Sequence, residues 1–110
     1  MPAVKSKLAF EALRSRAAST FTGSYQTLGA VMANPIRIFK ITSTCSVDVT
    51  VSFDGGTTDH EIIPAGGFLL MDVTSDRVWD CEFALAKGVQ VSVKGAAGTG
   101  TIYLSTYYAA

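Results

Sequence analysis

His60 is the chain's only histidine, which excludes any catalytic or metal site built on two imidazoles. It stands in "DHE", but neighbouring side chains of a strand point to opposite faces, so the triplet reads as a solvated strand start. Cys45 and Cys81 are the only cysteines. They are too few for a disulfide framework and lack the C-x-x-C or Cys/His spacing of a zinc site. Each shares strand parity with apolar neighbours, Cys45 with Val47 and Val49, Cys81 with Trp79 and Phe83. Both are expected to be buried free thiols acting as small hydrophobes, compatible with a reducing interior. No apolar run approaches the roughly 18 residues of a membrane span. The basic start is not followed by a signal-peptide core. A soluble protein made for the cytoplasm, with no membrane partner, is expected.

Catalytic signatures are equally sparse. There is no G-x-S-x-G elbow, and no serine has a histidine partner with an orienting acid in view. "GAAGTG" (95–100) lacks the Lys-Ser/Thr ending of a phosphate loop and precedes a strand where such a loop would open a helix; it reads as a hairpin loop. Asp54 and Asp59 flank a glycine-rich turn without the alternating carboxylates of a calcium loop. An enzyme would have to rest on that pair alone. No catalytic, cofactor or metal residue is assigned, and the chain is expected not to be an enzyme.

What is present points to β structure. Hydrophobic residues make up 48% of the chain, charged residues 16%, and there are ten glycines, with Thr, Ser and Val abundant. That balance favours sandwiches and barrels over bundles. A chain of 110 residues forms one domain able to bury on the order of two thirds of its unfolded surface. In "VDVTVSF", Val47, Val49, Val51 and Phe53 share one parity while Asp48, Thr50 and Ser52 share the other, the period of a half-buried strand. Further strands are expected at 25–33, 36–43, 60–63, 68–73, 77–83, 89–94 and 101–108, separated by turn material such as "DGG", "PAGG" and "LAKG". The fold class that follows is all-β: an antiparallel β-sandwich or jelly-roll-like barrel of about eight short strands. An N-terminal basic arm or short helix (1–22) precedes the β domain (23–110).

Charge divides along the chain. Residues 1–16 carry Lys5, Lys7, Arg14 and Arg16 against Glu11, 4 − 1 = +3; the other 94 carry five basic and eight acidic residues, 5 − 8 = −3. A basic arm on an acidic body suits attraction between copies, with Phe10 and Leu13 as apolar anchors. Removing residues 2–20 is expected to leave the fold intact. The acidic body argues against nucleic acid. Tyr103 and Tyr107 share parity on the last strand and are expected to pack on a neighbouring subunit; with Trp79 they also suit stacking on a carbohydrate. The expected assembly interface is therefore Lys5, Lys7, Phe10, Leu13, Arg14, Arg16, Tyr103 and Tyr107.

The markers "NPIRIFKI", "VSFDG-TTDH", "IPAGGF" and the closing "VKG…GTIYL…YA" give the chain, from about Phe21 onward, a resemblance to small virion proteins of tailed, especially short-tailed, bacteriophages. These motifs carry no catalytic residue. The resemblance implies a virion structural part: a ring or collar, head-tail junction or tail component, or alternatively a capsid decoration protein. Its partners would be further copies of itself and capsid, portal, adaptor or tail subunits. "TSDRVWDCEFAL" could be the part that varies with the position occupied.

Overall fold

A computed structural model describes residues 8–72 and 85–109. Among these residues nine strands run β1 Leu8–Phe10, β2 Arg14–Ala17, β3 Gln26–Thr27, β4 Ile38–Ser43, β5 Val49–Ser52, β6 Glu61–Ile63, β7 Phe68–Asp72, β8 Ser92–Lys94 and β9 Thr101–Ala109. They form two antiparallel sheets, one in the order β1-β9-β4-β7 with β2 also on β9, the other β3-β8-β5-β6. The architecture is a β-sandwich; among the described residues the only helical piece is a 3-10 turn at Ala18–Thr20.

The core lies between the sheets and follows from strand parity. Phe39, Ile41, Ile102 and Leu104 of the first sheet meet Val49, Val51, Ile63 and Val93 of the second, none more than 2% exposed. Cys45 is a buried free thiol, as its parity with Val49 requires. Each sequence-expected strand in the described range is present, although the first shrinks to two residues. Beyond β3 the chain still tracks its neighbour, with Leu28 N–H donating to Val91 O (2.8 Å) and Met32 N–H to Val89 O (2.9 Å).

Two expectations change. The N-terminal segment is extended over Leu8–Phe10 and Arg14–Ala17, not helical: these two strands pair in succession with the same long β9, Leu8 opposite Ala109 and Ala17 opposite Thr101. No structural break falls at 22/23, because Ala18 and Phe21 belong to the core. Alternating small, basic and apolar residues gave a weak helical stripe; the unpaired edge of β9 supplied the ladder that decided otherwise. The second change concerns "GAAGTG". It is an arch, not a hairpin, since β8 lies in one sheet and β9 in the other. Gly100 has φ +87°, and a Cβ there would sit 2.1 Å from Thr44 O, so this crossing passes backbone against backbone and requires glycine. "VSFDGGTTDH" does form the β5–β6 hairpin. The strand expected at 77–83, with Trp79 and Cys81, lies outside the described residues, as do Lys5 and Lys7.

Candidate assembly face

The outward face of the first sheet departs from the polar-out rule. Register places three rows across it: Phe10–Tyr107–Ile38–Asp72, then Ser105–Lys40–Leu70, then Ser15–Tyr103–Thr42–Phe68. Phe68 is 68% exposed, Phe10 64%, Leu70 57% and Leu8 53%. Phe10 meets Tyr107 edge to face, ring centroids 5.2 Å apart at 88°. The face thus has an aromatic flank on β1 and an apolar flank on β7. Large apolar side chains exposed together on one face mark contact sites on soluble proteins. By contrast, the outward side of the second sheet carries Thr50, Lys94 and Thr27 and, among the described residues, only Ile62 as an exposed large hydrophobe.

Of the sequence-derived interface residues, Phe10, Tyr103 and Tyr107 converge on this face. Leu13 is exposed at its rim, on a cavity of about 500 Å³ between residues 11–15 and 29–33. Arg14 and Arg16 do not join them. Their parity turns them to the inner side of the sheet, opposite Leu104 and Ile102. Arg14 is 8% exposed; its Nε donates to Ala30 O (2.7 Å), one terminal nitrogen to Thr106 Oγ1 (3.0 Å), the other to Glu11 Oε1 (2.7 Å) and Val31 O (3.0 Å). Arg16 Nε donates to Thr27 O at 2.7 Å. The two arginines fasten residues 27–31 to the sheet edge; burial corrects the expectation of Arg14 as an interface residue, while Arg16 stays partly exposed beside Thr27. A deletion of residues 2–20 would remove β1, β2 and this fastening, so the segment is not the dispensable arm expected. Glu11 is the counterion: it also accepts from Asn34 Nδ2 (2.8 Å) and Ala33 N–H (3.2 Å). Burial alone would raise its pKa, but the hydrogen bonds and charge of Arg14 and the amide of Asn34 outweigh it and hold the carboxyl below its ordinary value.

Reading the sequence missed Phe68, Leu70, Ile38 and Lys40. A signal existed, because "FLLMD" is apolar at both parities, whereas a strand with one face in water alternates.

The Asp54/Asp59 loop has an internal explanation. Asp54 Oδ1 accepts from Ser52 Oγ (2.6 Å), Thr57 N–H (3.1 Å) and Thr58 N–H (2.9 Å), which holds its carboxyl well below the usual range. Asp59 accepts from the Tyr25 hydroxyl and lies 3.4 Å from Lys94 Nζ. Desolvation and the Asp59 contact push Tyr25 up to about 12. His60 Nδ1 accepts from Phe53 N–H at 3.0 Å. These groups close the hairpin loop onto the second sheet, and among the described residues no cluster of His, Cys, Asp and Glu could hold a metal ion. Comparison with protein-family models, curated proteins and solved structures finds no match to this chain.

Proposed function

We propose that this chain is a non-enzymatic structural subunit of a tailed-bacteriophage particle, a ring, collar, head-tail junction or tail component that docks through the outward face of its first sheet. The observation that carries this reading is that face: four strands wide, with large apolar side chains on both flanks, Phe68, Phe10, Leu70 and Leu8 all more than half exposed. A subunit whose task is to repeat one contact around a particle needs a rigid sheet and a dry surface. The sandwich supplies the rigidity, through a core closed on both sides and an N-terminal strand pair locked by Arg14 and Glu11. The virion motifs of the sequence point the same way. Capsid decoration would use the same face at a different address on the particle.

The test is composition of the particle. Virions of the encoding phage, purified on a density gradient and analysed by quantitative mass spectrometry, are expected to contain the chain at a fixed copy number relative to the portal. Immunogold label should fall at one position. Absence from washed virions, with the protein abundant in the lysate, would overturn the proposal.

A further inference from the structure

We propose that the outward face of the first sheet is occupied by a second copy of the same face, so that two chains pack sheet on sheet as an isologous dimer; this deepens the assembly reading above and rests on it. Three observations select a copy of the chain over another partner. The face is self-neutral: among the described residues its formal charges are Lys40 and Asp72, one of each sign, both exposed. A strongly acidic or basic partner would find no match there, whereas an identical face brings no net repulsion.

Its size fits as well. Phe10 and Phe68, 64% and 68% exposed, each offer on the order of 100 Å². With Leu8, Leu70 and the partly exposed Tyr103, Tyr107 and Ile38 the surface approaches the roughly 800 Å² per partner of a standard interface. Its chemistry is that of an interface centre, aromatic and nearly uncharged.

Register shows which rows meet when two such faces pack. Sheets that face each other are related by a two-fold axis lying in the plane between them. An axis running across the strands would lay Lys40, in the middle row, over Lys40 of the partner subunit. An axis running along the strands, between β9 and β4, exchanges these two strands. Lys40 then lies over the partner's Ser105, Tyr107 over the partner's Ile38 and Tyr103 over the partner's Thr42, while at the rim Phe10 lies over the partner's Asp72 and Ser15 over the partner's Phe68. Of these two axes the second keeps like charges apart, and it is compatible with the roughly 30° aligned packing of sandwich sheets.

Sedimentation velocity on the full chain, from low micromolar to hundreds of micromolar, is the test. A monomer–dimer equilibrium is expected. Phe68→Asp and Leu70→Asp are expected to abolish it with far-UV circular dichroism and Tm unchanged, and Ile62→Asp on the opposite sheet to leave it intact. Should a charged variant misfold, hydrogen exchange on the unaltered chain decides: protection that grows with concentration must fall on β1 and β7 and spare β6. A monomer throughout, dimers insensitive to both substitutions, or protection confined to the second sheet overturns the inference. A monomer that is nevertheless a virion component refutes the dimer and leaves the docking role; a dimer absent from virions does the reverse.

Discussion

Replacing Arg14 by alanine tests the central packing feature of the N-terminal segment. The guanidinium is 8% exposed and its ion-pair partner's side chain 7%, so water replaces little of what either group loses with its partner. Truncation leaves the Glu11 carboxylate buried with Asn34 and Ala33 as its remaining close donors, and strips Ala30 O and Val31 O of theirs. Breaking one side of a buried pair costs about 3–5 kcal/mol. A domain of this size has a total stability of about 5–15 kcal/mol, and each kcal/mol moves Tm by roughly 4 °C. The expected outcome is a fall in Tm of roughly 12–20 °C. Denaturant unfolding followed by circular dichroism measures it. The reasoning also demands non-additivity: Arg14→Met with Glu11→Met removes both charges together and should recover most of the loss, since an apolar pair of similar volume is often as stable. Hydrogen exchange should show the Leu28 and Met32 amides opening in the single variant, because residues 27–31 are held through the arginines. A loss below about 1 kcal/mol for Arg14→Ala, the value of an exposed ion pair, would refute the buried node. So would strict additivity in the double variant.

Gly100→Ala should destabilise by at least about 2 kcal/mol, because a side chain there adopts positive φ and its Cβ collides with Thr44 O; thermal melts check it, with Gly55→Ala, open around its Cβ, as the milder control. Acid should unfold the protein: Glu11, Asp54 and Asp59 have folded pKa values below 4.5, 3.8 and 3.8. The unfolded chain therefore binds protons first, and their contribution, complete above about pH 5, falls as pH drops through the folded values; Asp54→Asn should flatten that limb of a urea-midpoint profile. At the alkaline end the sign is reversed in pH. Tyr25 is neutral in the fold up to about 12 against 10.0 unfolded, so its contribution is complete below pH 10 and lost as pH rises towards 12. Tyr25→Phe should remove that part of the alkaline decline, read from midpoints between pH 9 and 12.

The sequence by itself determined where most strands lie and which side of each faces inward. Val49 and Val51 are buried and Thr50 is not, as a period of two requires, and the hairpin at Asp54-Gly55-Gly56 closes where its glycines permit positive φ. It also placed Tyr103 and Tyr107 on one face of the last strand, by their shared parity; Phe10 joins them only through the pairing of β1 with β9. Only the tertiary structure decided which strands become neighbours. Backbone ladders are made of the same N–H and C=O groups at every residue, so β9 accepts Leu8–Phe10 and Arg14–Ala17 as readily as any other extended segment. Choice of partner emerges from closing one core. That closure sent "GAAGTG" across the sandwich instead of around a hairpin. It buried Arg14 and set Arg16 against Thr27, converting part of a basic run that reads as a docking arm into a fastening of the sheet edge. It also set β7 beside β4, joining Phe68 and Leu70 to Tyr103 and Tyr107, residues more than thirty positions apart that only sheet order could gather into one surface.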